Sequence, residues 1–172
     1  MTKPVVNIAD IELQSRPAAF AATGPAADRY DARMGRVGTR IGAQQLGYNV
    51  TAVPPGKRAF PAHSHGINEE MFFVLNGTGE VHIGKDIYPL RTGDFVACPA
   101  GGVETAHQIV NTSTEELRYL AVSTMRTPEI CEYPHSGKFG VYAELPGSAD
   151  GKLRMFRYLS REAQSIDYWD GE

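Results

Sequence analysis

Two histidines one residue apart, His63 and His65, lie a few residues before a carboxylate, Glu70. In an extended strand, side chains at i and i+2 leave the same face, so both imidazoles can aim at one point. Residues 66–69 read as a turn, and Glu70 opens the apolar run 71–75. If that run forms a strand paired beside the histidine segment, its carboxylate reaches the same point. Two neutral imidazoles and one carboxylate converging are the makings of a divalent-metal site. Glu69 points to the opposite face by strand alternation and falls outside this set.

The surrounding segments look like short strands divided by tight turns. Residues 46–53 are strand-like and stop at Pro54-Pro55-Gly56; 62–65 and 71–75 follow, the latter ended by Asn76-Gly77-Thr78-Gly79. Asn-Gly between two strand-like runs is a strong hairpin signal. Further strands are expected over 80–83, 87–90, 95–98, 105–110 and 117–124, with turns at 84–86, 92–94 and 111–116. Turn signals this frequent, with no helical stretch between them, indicate an all-β sandwich or barrel. Residues 7–13 alternate and suit an edge strand, while 17–25 suit a brief helical turn confined by prolines. Beyond residue 125 the pattern weakens: 133–138 reads as a loop and 153–158 as one more strand. The domain reading is an N-terminal arm (1–41), a barrel (42–125) and a C-terminal extension (126–172) packing on the barrel or on a partner subunit.

Composition sets the outer limits. The chain has 172 residues, one domain by length, with 42% hydrophobic and 22% charged residues as in ordinary globular proteins. Its net charge of −3 is spread without a basic stripe, so no nucleic-acid partner is expected. Without an apolar leader or membrane-length segment, a cytoplasmic protein with no membrane contact is expected. Cys98 and Cys131 are too few for a disulfide framework and read as reduced thiols with a packing role.

With 5 histidines in the chain, a His-x-His arises by chance in roughly one such sequence in seven, so the pair alone identifies nothing. The downstream residues add more. Gly56, His63, His65, Glu70 and Gly77, followed by Gly93, Pro99, Gly101, His107 and Asn111, resemble the two motifs of the cupin superfamily. Two spacings depart from that pattern. The gap from Gly56 to His63 is one residue longer, and five residues separate Gly101 from His107 where two are usual. The latter fits a longer loop over the barrel mouth, since the His107 to Asn111 spacing survives. The resemblance covers residues 42–125; the whole chain also resembles single-domain cupins, some labelled as possible sugar-phosphate isomerases.

The resemblance implies a double-stranded β-helix, a jelly-roll barrel with irregular N- and C-terminal arms. It also implies that His63, His65, Glu70 and His107 hold one divalent transition metal: manganese, iron, zinc, nickel or cobalt. Three imidazoles and one carboxylate suit these ions better than calcium or magnesium, which prefer oxygen. One or two coordination positions stay open for a small-molecule ligand, and a local charge near +1 favours an anionic or chelating one.

The expected function is action on a small oxygen-rich molecule, as a metal-dependent dioxygenase or oxidase or as an isomerase. The alternative is a non-catalytic binding or sensing module. No catalytic residue is assigned and no organic cofactor is expected. Lys57 and Arg58 are candidates for clamping a substrate anion, and Tyr48, Phe60, Phe72 and Gln108 for lining the pocket. His82 and His135 read as surface residues, and a homodimer is expected.

Overall fold

Residues 3–147 and 153–172 are described by a computed structural model of the chain. Residues 1–2 of the expected N-terminal arm and 148–152 of the C-terminal extension lie outside the described residues. In chain order the strands are β1 (Gln14–Ser15), β2 (Arg33–Arg36), β3 (Leu46–Val53), β4 (Ser64–His65), β5 (Glu70–Asn76), β6 (Thr78–Ile83) and β7 (Asp86–Arg91). They continue as β8 (Phe95–Cys98), β9 (His107–Val110), β10 (Leu117–Thr124), β11 (Glu129–Tyr133), β12 (Lys138–Pro146) and β13 (Leu153–Ser160). The α-helix α1 (Gly38–Ile41) is a single turn. No helix among the described residues is long and apolar enough to cross a membrane.

Two antiparallel walls face each other. One is a six-stranded sheet in the order β1-β2-β3-β10-β5-β8. The other combines a four-stranded sheet, β13-β12-β11-β4, with a three-stranded sheet, β7-β6-β9. A bridge between His63 and His107 joins these two, the amide of each residue donating to the other's carbonyl at 2.8 and 3.2 Å. The all-β double-stranded β-helix expected from the sequence is therefore the observed architecture.

Strand alternation builds the core. Phe72 and Val74 of β5, Val96 and Cys98 of β8, and Leu117, Tyr119 and Ala121 of β10 all face inward, meeting Val81 and Ile109 from the opposite wall. Burying side chains of this size contributes about 1.5–3 kcal/mol each. The same alternation sends Glu70 inward with Phe72 and Val74, and His107 inward with Ile109. The β5–β6 hairpin turns at Gly77, whose φ of +90° is left-handed; a Cβ there would lie 2.7 Å from the Glu116 carbonyl oxygen, so only glycine fits. Asn111 is wholly buried and ties the loop after β9: its amide donates to the carbonyls of Val53 and Glu115 at 2.8 and 2.7 Å.

Several expectations give way to the structure. Residues 7–13 form no edge strand. Ile8–Asp10 is a 3-10 turn capped by the Asn7 side chain, which accepts from the Ala9 amide at 2.9 Å. The next residues meet β2, a strand whose sequence, Arg-Met-Gly-Arg, carries no apolar alternation; β2 extends the large sheet by pairing with β3. The chain after residue 125 is far more regular than its pattern suggested, supplying three strands. The first, β11, hydrogen-bonds to β4, with Cys131 opposite His65.

Candidate metal centre

The histidine segment and Glu70 come from opposite walls. β4 pairs with β11 and β5 pairs with β8 and β10. The expectation that Glu70 lies on a strand beside the histidines is thus corrected: the carboxylate reaches them across the barrel interior. The turn between them carries the chain from one wall to the other. His107 arrives from β9, alongside His63. The five residues before it hold a 3-10 turn, Val103–Thr105, which absorbs the added length without shifting β9.

The structure brings all four sequence-predicted residues together. Glu70 Oε2 lies 3.0 Å from His107 Nε2, 3.6 Å from His65 Nε2 and 3.9 Å from His63 Nε2. The four donor atoms all lie within 4.8 Å of one another. Ligands held about 2.1 Å from one ion stand about 3.0 Å apart at right angles and about 3.4 Å apart at the tetrahedral angle, so these separations suit a shared ion.

The ring orientations carry the stronger test of fit. His63 Nδ1 faces the Pro61 carbonyl at 2.9 Å and His107 Nδ1 faces the Thr105 carbonyl at 3.3 Å. His65 Nδ1 faces Cys131 Sγ at 3.4 Å. With Nδ1 donating outward in each ring, the tautomer these acceptors select, the three Nε2 lone pairs point at the carboxylate. His65 Nε2 is buried and has no hydrogen-bond partner. Lone pairs and a carboxylate crowded together require a cation, so the donor set fits a divalent metal.

Proton affinities follow the same logic. Burial would raise the Glu70 carboxyl, but the facing imidazoles of His107, His65 and His63 outweigh it and hold it far below the usual range. Burial and then the neighbouring His107 push His63 down to about 4. Burial also opposes charge on His65, yet Cys131 and Glu70 overcome it and push the imidazole up to about 10. Without a metal, a proton is disfavoured on His63 and favoured on His65.

Sequence reasoning missed Glu129 and the place of Cys131. Glu129 is 5% exposed, and its Oε1 accepts from the amides of Gly66 and Ile67 at 2.8 and 3.3 Å. Its Oε2 accepts from the Asn68 side-chain amide, whose own oxygen accepts from Thr124 Oγ1 and the Arg126 amide. This network fixes the turn that sets His65 relative to Glu70. Cys131, read as a packing thiol, lies directly behind His65. Cys98 is the packing thiol expected, buried opposite Glu70 on β8.

His63, His65 and Glu70 floor a cleft of about 1340 Å³, with His107 buried behind them. The N-terminal arm forms one side of the cleft and the C-terminal strands another. Lys57 and Arg58 do not line it. Lys57 Nζ instead donates to the Asp28 carbonyl at 2.7 Å, while Arg58 is held by backbone bonds. The cleft's cations are Arg16, Arg36, Arg40, Arg126, Lys138 and Arg157. Phe60 lines the cleft as expected. Phe72 packs below it, 5.6 Å from the His107 ring, and Gln108 turns away to donate to the Phe60 carbonyl at 2.6 Å. Tyr48 lies outside the lining. Glu69 and His135 are exposed, and His82 pairs with Glu80 at 3.2 Å.

A family model described as a cupin domain matches residues 49–123. No curated protein sequence matches the chain. Among solved structures, a sugar phosphate isomerase from a cupin superfamily, of Silicibacter pomeroyi DSS-3, is 25% identical with a TM-score of 0.74, covering 97% of this chain and 98% of that one. A protein of Acidithiobacillus ferrooxidans ATCC 23270, named as a candidate sugar phosphate isomerase, is 24% identical with a TM-score of 0.70 over 90% of this chain and 92% of that one. The polyketide cyclase RemF of Streptomyces resistomycificus shares the fold at 19% identity and a TM-score of 0.55, over 73% of this chain and 82% of that one. The matched segment contains the strands that carry all four convergent donors, and by that barrel and that match residues 49–123 are a cupin domain.

Proposed function

We propose that His63, His65, Glu70 and His107 bind one divalent transition metal and that the protein is a metal-dependent isomerase of small, anionic, sugar-like carbonyl compounds. The observation carrying this reading is the convergence of three inward Nε2 lone pairs and one carboxylate at the floor of a cation-lined cleft. The likeness to the Silicibacter pomeroyi sugar phosphate isomerase over nearly the full length of both chains supports the substrate class. Three imidazoles with one carboxylate suit manganese, iron, zinc, nickel or cobalt.

When bound, such an ion supplies a Lewis acid that polarises a substrate carbonyl. The chain's own groups do the rest. The Tyr133 ring stacks against His63 at 6.1 Å. Burial, followed by the hydrogen bond with Tyr142, raises its phenol above the ordinary value, so the hydroxyl stays protonated and can donate to a substrate oxygen. The arm and the C-terminal strands narrow water's access to the floor.

Elemental analysis of protein purified without added metal tests the first half. Near-stoichiometric transition metal is expected, with large loss in His63→Ala, where one ligand of four is gone. The second half is read by proton NMR in deuterated water. An isomerase incorporates deuterium beside the carbonyl of an accepted aldose or ketose, independently of oxygen. Oxygen uptake without that exchange would place the centre among dioxygenases or oxidases. Ligand-dependent stabilisation with neither would make it a binding module.

A further inference from the structure

The C-terminal strands, outside the segment matched to the family, carry a second cluster of polar groups apart from the metal quartet. Tyr133 ends β11, Lys138 opens β12, Tyr142 follows on β12, and Arg157 lies opposite Tyr142 on β13. All four face the cleft. The hydroxyls of Tyr133 and Tyr142 stand 3.0 Å apart. Lys138 Nζ lies 5.6 Å from the centre of the Tyr133 ring. The Arg157 guanidinium lies between two rings, 5.7 Å from Tyr142 and 5.8 Å from Phe20 of the N-terminal arm.

Among the described residues, neither Lys138 nor Arg157 lies within 4.0 Å of a carboxylate, and neither side chain donates a hydrogen bond. Lys138 is nevertheless half-buried. Glu144, two residues beyond Tyr142 and on the same face of β12, is the nearest acidic candidate along the strand and pairs with neither. A guanidinium held over aromatic rings keeps its N–H edge free, in the planar fork that matches phosphate or carboxylate oxygens. In the tyrosine pair one hydroxyl donates to the other, which leaves the second proton free to donate outward.

We infer that Tyr133, Tyr142, Lys138 and Arg157 form an anion subsite that takes the phosphate of a phosphomonoester whose carbonyl end reaches the His63 side of the cleft. The inference rests on reading the cleft as a substrate site, and it moves the anion clamp from Lys57 and Arg58 to the C-terminal strands. The subsite begins one ring beyond His63, a separation that a short phosphorylated carbon chain spans. The charge-assisted donors supply the discrimination against the same sugar without its phosphate.

Calorimetric titration with ribose 5-phosphate, and with ribose as the uncharged control, tests this. Wild-type protein is expected to bind the phosphate ester at least about tenfold more tightly than ribose. Lys138→Gln and Arg157→Gln should each weaken the ester about tenfold and leave ribose unchanged, while Arg157→Lys recovers part of the loss. Lys85→Gln, which removes an exposed charge on the turn before β7, serves as the control and should change nothing. No preference for the ester in wild type, or equal binding by the Lys138 and Arg157 variants, overturns the subsite.

Repeating the titration on His63→Ala separates the two readings. Ester binding that survives metal loss and still falls in a His63→Ala, Lys138→Gln double variant supports the subsite independently. Metal retained in full by His63→Ala refutes the metal reading and leaves the subsite to its own result.

Discussion

At the scale of single residues, strand alternation made His63, His65 and Glu70 legible as candidates, and His107 joined them through the resemblance to cupins. His63 and His65 share a face by parity, and Glu70 shares one with Phe72 and Val74. The acceptor behind His65 was not legible, since no spacing in the sequence links Cys131 to a histidine 66 positions earlier. That pairing matters for pH. His65, pushed up to about 10 from 6.5, stabilises the metal-free fold fully below about pH 6.5, and that contribution is lost as pH rises towards 10. His63, pushed down to about 4, holds no proton over this range. On the proposed reading, a metal ion would substitute for the proton on His65 and would have to displace it to bind. The rise in melting temperature on adding zinc should therefore grow steadily from pH 6 to pH 9, and binding should release about one proton per ion near neutrality. A thermal shift that shrinks across that range would show that His65 is not the protonated member of the cluster.

At the scale of elements, β5, β6, β8 and β10 follow their hydrophobic alternation, which is why they were readable. β11 inverts the rule. Glu129 and Cys131 face inward, while Ile130 is 52% exposed. A pattern reading sends the isoleucine to the core and the carboxylate to water, and so it misses the strand's orientation. What overrides hydrophobicity is the turn before β5, whose amide donors at Gly66, Ile67 and Asn68 need an acceptor inside the protein. Glu129 meets that need from a strand some sixty residues away. Glu129→Gln keeps one oxygen for the backbone amides but sets its NH2 against that of Asn68. It should cost roughly 1–3 kcal/mol in urea unfolding of the metal-free protein. Glu129→Ala, which leaves the Ile67 amide and one N–H of the buried Asn68 side chain without their acceptor, should cost more and also weaken metal binding, because the turn sets His65 relative to Glu70. Unchanged unfolding midpoints for both variants would mean that the turn holds its shape without the carboxylate.

At the scale of the whole molecule, the exposed surface is uneven. β13 is the edge of its sheet. Leu153 and Met155 on it, with Ile166, Tyr168 and Trp169 beyond it, are between 62% and 84% exposed. An unpaired edge beside large apolar side chains is a surface that proteins ordinarily pair or cover. A second copy of the chain meets both needs, since a two-fold axis beside β13 pairs the edge with itself and draws exposed apolar side chains of both copies towards the axis. The protein is therefore expected to sediment as a homodimer at micromolar concentration. Trp169 is the only tryptophan in the chain, so its emission reports on the C-terminal segment beyond β13 alone. Burial in the dimer should hold the emission to the blue, and dilution below the dissociation constant should move it to the red. Leu153→Arg, outside the cleft lining, places like charges near the axis and should give the red-shifted spectrum and monomeric mass at any concentration, with metal content intact because the quartet lies on other strands. A monomer of wild-type sequence, with red-shifted emission throughout, would leave this face to some other partner and remove self-association from the account.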